Sequence, residues 1–348
     1  DSMQGQREFL AEIQLLGGCR SAFLLPLLGF SADQGSGAGD TPGAVCLVFP
    51  LMTGGSLQDR LFPDSEGARR RYEIMFGHEG TFQLLCWIDR LRICISCLKG
   101  LAYLHSSSAS DSKPSWCHRN LKPHNILLDC DLHARLADAG LARARPSQAT
   151  HLTFTQVAAT WGFADPRYMQ TGQFDSACDA YAMGVTFLVV LSGRESQDSL
   201  IADLCEDQSR IPPIDSVVDP QAGWPPQVAS QFLDICLGLV KTPRCDRLSA
   251  DSALEKLEAC LRSVEAPAPN AQHDRECFFC LSVPTTNRLP CGHSPFCPDC
   301  LHEVLRRERA ECPLCHEKIR KPDAAQGDDS IALQSTFVEP VQLAAADK

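Results

Sequence analysis

The residues best suited to chemistry lie between Cys277 and Cys315. The chain there runs Cys277-x2-Cys280, ten residues, Cys291-x-His293, three residues, Cys297-x2-Cys300, eleven residues, Cys312-x2-Cys315. Eight soft ligands thus fall in four pairs, each spaced to grip one metal from a tight turn. Tetrahedral zinc takes thiolates with an occasional imidazole, and eight such groups fill two zinc ions. A site whose four positions all come from protein is structural and leaves no place for substrate water. The segment is too short to bury a core of its own, so metal binding must supply much of its folding free energy. A disulfide cluster is the competing reading of the cysteines, and other cross-braced zinc modules share the pairing.

A second series of polar residues lies upstream. It comprises Trp116-Cys-His118-Arg119-Asn120-Leu-Lys122-Pro-His-Asn125-Ile-Leu-Leu128, then Leu136-Ala-Asp138-Ala-Gly140-Leu-Ala-Arg143. Thr160-Trp-Gly162-Phe-Ala-Asp-Pro166-Arg167-Tyr168 and Asp179-Ala-Tyr181-Ala-Met-Gly184-Val follow.

Helices and short strands must carry these groups. Phe9, Ile13 and Leu16 recur at helical spacing, and Trp87, Ile93, Leu98 and Leu101 predict a long amphipathic helix ending at His105. Apolar spacing predicts two closing helices, from Val228 to Val240 and from Ser249 to Leu261. The apolar runs Phe23–Phe30 and Val45–Phe49 read as strands, and Gly54-Gly55-Ser56-Leu57 as the cap of a short helix. Gly35-Ser-Gly37-Ala-Gly39 has no helix after it to form a phosphate cradle and reads as a flexible hairpin. Residues 62–82, with Arg69-Arg70-Arg71, read as a solvated polar loop.

The chain has 348 residues, enough for two or three domains, and 44% hydrophobic residues allow a sizeable core. A net charge of -11 argues against a nucleic-acid or acidic-membrane binder. Seven of the 19 cysteines are the ligands above, and the rest are scattered. They read as reduced thiols of a cytoplasmic or nuclear protein. No signal peptide or membrane span is read in the sequence. Val264-Glu-Ala-Pro267-Ala-Pro269 reads as a stiffened linker, and residues 322–348 as a polar, acidic, mobile tail. Asp1 in place of Met points to a fragment.

The ligand order and gaps over residues 274–321 resemble the RING finger of ubiquitin ligases. The resemblance implies that Cys277, Cys280, Cys297 and Cys300 hold one zinc, and Cys291, His293, Cys312 and Cys315 the other. It also implies an apolar groove for a ubiquitin-conjugating enzyme, built from Phe279, Val304, Pro313 and Leu314. His316 stands where the family places a basic residue to pin ubiquitin, and an imidazole is only partly charged near neutral pH. RING dimerisation fits the same resemblance.

Residues 1–262 resemble eukaryotic protein kinases. The texture is most similar to the Pelle, interleukin-1-receptor-associated and plant receptor-like kinase group. The resemblance implies an α+β, bilobal fold with an incomplete small lobe and a mainly helical large lobe, joined by a linker (263–273) to a cross-braced, two-zinc RING. By family position Asn125 and Asp138 bind magnesium, Lys122 approaches the transferring phosphate of ATP, and Glu12 is the helix glutamate that pairs with a nucleotide-binding lysine. Asn120 stands in place of the catalytic aspartate, and an amide cannot accept the substrate proton. No lysine precedes Lys99, and the family's glycine-rich loop is missing from this sequence. Arg167 stands where the family has a glutamate that pairs with an arginine, here Arg247. Two cations would then meet unless Asp246 or a shift intervenes. Ser147, Thr150, Thr153, Thr155 and Thr160 populate the expected activation segment as candidate phosphate acceptors.

Together these readings predict a RING-type ubiquitin ligase whose kinase-like part, a pseudokinase, recruits a protein substrate or senses a signal. The alternatives are a truncated serine/threonine kinase and a scaffold whose RING serves only assembly.

Overall fold

The computed structural model describes residues 2–32, 45–107, 113–145, 150–154, 160–265 and 301. The chain divides into two compact units, Asp1–Pro267 and Ala268–Lys348. The described residues belong almost entirely to the first.

That unit opens with helix α1 (Ser2–Gly18), longer than its apolar repeat requires, with Ala11 and Leu15 buried. Strands β1 (Gly29–Ala32) and β2 (Val45–Val48) form an antiparallel pair in which Gly29 faces Val48. The strand expected from Phe23 is thus displaced to its C-terminal end. Leu24 makes only an isolated bridge to Leu136, and Pro26, which has no N–H to donate, separates that bridge from β1.

A short strand β3 (Gly55–Ser56) leads into helix α2 (Leu57–Leu61), and Ser56 caps the helix as the sequence predicts. The two glycines before the cap are required by space and backbone. A Cβ on Gly54 would lie 2.3 Å from the Asp129 carbonyl oxygen, and Gly55 has φ +76° with the Phe82 ring beneath it.

Residues 62–82 correct the expectation of a solvated loop. They contain helix α3 (Glu66–Phe76), capped at one end by the Ser65 hydroxyl and at the other by Gly77 in the left-handed conformation. Ala68 is buried, and Tyr72 packs on both Phe76 and Phe82, with ring centroids 4.6 and 5.3 Å away. The insertion folds because it carries its own cap and aromatic cluster.

Helix α4 (Trp87–His105) spans the residues expected of it and is buried along one face. Strands β4 (Ser115–Cys117), β5 (Ile126–Leu128), β6 (Ala134–Leu136) and β7 (Arg143–Arg145) follow. They pair antiparallel as β3-β5-β6 and β4-β7. Strands β8 (Leu152–Thr153) and β9 (Gln173–Phe174) pair around helix α5 (Pro166–Thr171). The core is centred on helix α6 (Ser176–Ser192), buried from Cys178 to Ser192 except at Ala182. Helices α7 (Ser199–Glu206), α8 (Ile214–Val217), α9 (Pro226–Val240) and α10 (Ala250–Glu265) close around it. The last two match the closing helices read from apolar spacing. Among the described residues no helix is long and apolar enough to cross a membrane.

Candidate functional site

The structure brings Asn120, Lys122, Asn125 and Asp138 together. The loop between β4 and β5 carries the first three, and Asp138 follows β6, so the antiparallel pairing of β5 with β6 sets them side by side. Asn120 Nδ2 donates to Asp138 Oδ2 at 2.7 Å, and Asn125 Nδ2 donates to the same oxygen at 3.1 Å. Asn125 Nδ2 also reaches the Asn120 carbonyl at 2.8 Å. Asp138 lies in the left-handed region with φ 58°, a conformation that short polar side chains tolerate.

Thr160 joins this group. Its hydroxyl donates to Asn120 Oδ1 at 3.2 Å and accepts from Lys122 Nζ at 3.1 Å. Both ends of the Asn120 amide are therefore engaged, one by Asp138 and one by Thr160. An aspartate there would set a second carboxylate against Asp138, whereas the amide donates to it. The arrangement fits a hydrogen-bonded anchor of the loop. Asn120 has no group that accepts a proton, and Asp138 Oδ2 is already taken by two amides.

Beneath the loop, Asp179 of α6 is fully buried and accepts the backbone N–H groups of His118 and Arg119, each at 2.8 Å. His105 Nε2 lies 3.0 Å from the same carboxylate. These bonds hold Arg119 at φ 70°, a strained value for a residue with a side chain. The Arg119 guanidinium stacks 3.6 Å from the Phe154 ring centre and donates to Tyr168 Oη at 3.0 Å. Burial pushes the His118 imidazole below its ordinary pKa, although Asp179 and Asp138 pull the other way. Burial likewise lowers His124, assisted by Lys122 and Arg71.

Glu12 of α1, read as a glutamate without its lysine, is buried, and its Oε1 accepts the Ala139 N–H at 3.3 Å. The conflict expected between Arg167 and Arg247 does not arise. Arg167 is exposed, and Arg247 Nη1 pairs with Asp165 at 2.6 Å, both side chains at most 2% exposed. Arg244 Nε stands 3.6 Å from the same carboxylate. Asp165, two positions before Arg167, supplies the anion, so neither Asp246 nor a shift is needed. The sequence reading missed Asp165 because it looked only at the family's glutamate position.

The zinc-ligand set, Cys277, Cys280, Cys291, His293, Cys297, Cys300, Cys312 and Cys315, lies outside the described residues, as do Phe279, Val304, Pro313, Leu314 and His316. So do the glycine-rich turn Gly35–Gly39 and the candidate acceptors Ser147 and Thr155. The donor set itself, seven thiols and one imidazole, fits zinc in its softness and paired spacing.

Comparison with known proteins places these features. The protein kinase domain model matches residues 1–257, and the model of the C3HC4-type zinc finger (RING finger) matches residues 273–321. The chain belongs to the protein kinase domain family and carries a C3HC4-type RING finger, which implies zinc binding. Its fold is the α+β kinase fold. The nodulation receptor kinase of Pisum sativum is 31% identical over 246 residues, 68% of this chain and 24% of that protein. Serine/threonine-protein kinase PBL34 of Arabidopsis thaliana is 35% identical over 198 residues, 57% of this chain and 34% of that protein. Receptor-like cytoplasmic kinase 176 of Oryza sativa subsp. japonica is 34% identical over 195 residues, 56% of this chain and 42% of that protein. The matched part spans less than half of each of these relatives.

Proposed function

We propose that this protein is a RING-type ubiquitin ligase whose kinase-like domain recruits a protein substrate or receives a regulatory signal. The observation that carries this reading is the complete C3HC4 ligand set within the matched RING finger. Such a ligase supplies no acid, base or nucleophile. It holds a ubiquitin-charged conjugating enzyme so that the thioester meets a substrate lysine, which is catalysis by positioning. In this arrangement two zinc ions fill the eight ligands, and the groove of Phe279, Val304, Pro313 and Leu314 docks the conjugating enzyme. His316 contacts ubiquitin. The kinase-like domain covers 1–262, the linker 263–273, the RING 274–321 and the tail 322–348, in a cytoplasmic or nuclear protein.

The second reading is a serine/threonine kinase using ATP and magnesium, favoured by the family match and the names of the relatives. Asn120 weighs against it, because loss of a general base costs about 10²- to 10⁴-fold. The third is a pseudokinase scaffold whose RING serves only assembly.

The deciding experiment is autoubiquitination of the full chain with a panel of conjugating enzymes, beside Cys291→Ala and Phe279→Ala. Ubiquitin ladders lost in both variants support the ligase. Ladders unchanged in Phe279→Ala remove the proposed groove, and no ladders from zinc-loaded protein favour the scaffold. Phosphate transfer by the same preparation would restore the kinase reading.

A further inference from the structure

The kinase unit is poor in lysine, so its few amines can be weighed one by one. Eight lysines occur in the chain, and five of them, Lys99, Lys113, Lys122, Lys241 and Lys256, lie in the first unit. An ammonium group has three donors and no lone pair. To accept an acyl group a lysine must therefore shed a proton, leave its own contacts and reach the reagent.

Three of the five amines are tied down. Lys113 is buried, and its Nζ donates to the carbonyls of Leu104, at 3.4 Å, and of Ser106, while lying 4.6 Å from the Tyr103 ring centre. Burial lowers its pKa, which favours the neutral amine but also encloses it. Lys122 is half-buried, and its Nζ donates to the Thr160 hydroxyl at 3.1 Å. Lys99 Nζ pairs with Glu258 Oε1 at 2.9 Å and sits 5.9 Å from the Phe23 ring centre.

Lys241 and Lys256 differ from these. Both are exposed, and among the described residues neither side chain makes an ion pair or a hydrogen bond. Lys241 ends α9 and Lys256 belongs to α10, yet both line one open cavity of about 520 Å³ between those helices. Ile235, Leu248, Ala259 and Cys260 supply its apolar lining. The Lys241 carbonyl accepts Arg247 Nε at 3.0 Å, so the backbone there is held while the amine is free.

Resting on the ligase reading above, we infer that Lys241 and Lys256 are the acceptors in the kinase unit for the protein's own ubiquitin transfer. The neutral Nζ attacks the carbonyl carbon of the ubiquitin thioester carried by the conjugating enzyme. A C–N bond forms, the C–S bond breaks, and the sulfur leaves as the conjugating enzyme's thiolate. The lysine gives one proton to solvent before attack and a second as the amide forms.

The test is transfer by the full chain with ubiquitin-charged conjugating enzyme, read by mapping the Gly-Gly remnant on tryptic peptides. Remnants are expected on Lys241 and Lys256 and on none of Lys99, Lys113 and Lys122. Lys241→Arg with Lys256→Arg keeps both charges and should remove ubiquitin from the kinase unit, whereas Lys99→Arg should leave it there. Discharge of the conjugating enzyme onto free lysine should be equal for the double variant and the parent, because only acceptors are lost. Remnants on Lys99, Lys113 or Lys122, remnants confined to residues beyond the kinase unit, or slowed discharge in the double variant overturn the assignment and leave the ligase reading standing. Neither discharge nor ladders from zinc-loaded protein with any conjugating enzyme overturns both.

Discussion

The buried pair of Asp165 and Arg247 shows how one carboxylate replaces another. Removing one partner of a buried pair strands the other charge, so Asp165→Asn is expected to destabilise the kinase unit by about 3–5 kcal/mol. Arg167→Glu at the exposed neighbour should stay within about 0.5 kcal/mol. Denaturant titration of both variants tests the contrast. His118 makes a second case. Its pKa is lowered in the fold, so the unfolded chain binds the proton first as pH falls. Stability is full above the ordinary histidine value of about 6.5 and declines as pH falls below it toward the folded value, by at most about 1.4 kcal/mol per pH unit per histidine. Melting between pH 7.5 and 5.5 should show this slope, and His118→Gln should flatten it, with His124 contributing the remainder. The replaced base at Asn120 was legible in the sequence, because family position alone exposes it. Its bond to Asp138 was not, because it depends on the pairing of β5 with β6.

Helix α2 depends on a reciprocal cap. The Ser56 hydroxyl accepts the Asp59 N–H at 3.2 Å and donates to the Asp59 carboxylate at 2.8 Å. Ser56→Ala removes both bonds and leaves a buried carboxylate short of a donor, so a loss of about 1–2 kcal/mol is expected in thermal or denaturant unfolding. The Ser56 cap, α4 and the closing pair α9 and α10 could be read from cap residues and 3.6-residue periodicity. Helix α3 was obscured by Arg69-Arg70-Arg71, which suggested a solvated run. The signals for it were present in Ser65, which caps the helix, and in Tyr72 and Phe76, four residues apart on one face. The first strand was placed too early because an apolar run does not by itself show which residues find a hydrogen-bonding partner.

Two kinds of stability are expected in one chain. The first unit rests on apolar burial around α6 and should melt without regard to metal. The RING is expected to depend on zinc for its folding. A strong chelator should abolish ubiquitin transfer and remove the calorimetric transition of the RING while leaving that of the kinase unit in place, and zinc should restore both. Persistence of transfer after verified zinc loss would contradict the ligase reading. Kinase and RING families were both readable from motif order, since several spaced motifs had to agree. The geometry of the activation segment was not, because it is built from contacts between distant residues such as Arg119 with Phe154 and Tyr168.

The amides of Asn120 and Asn125 have one further consequence. A carboxylate that would otherwise await a dissolved cation is here stabilised by groups encoded in the chain itself. The shape of this loop is therefore tied to the side chains of the loop itself, through bonds of 2.7, 2.8 and 3.1 Å.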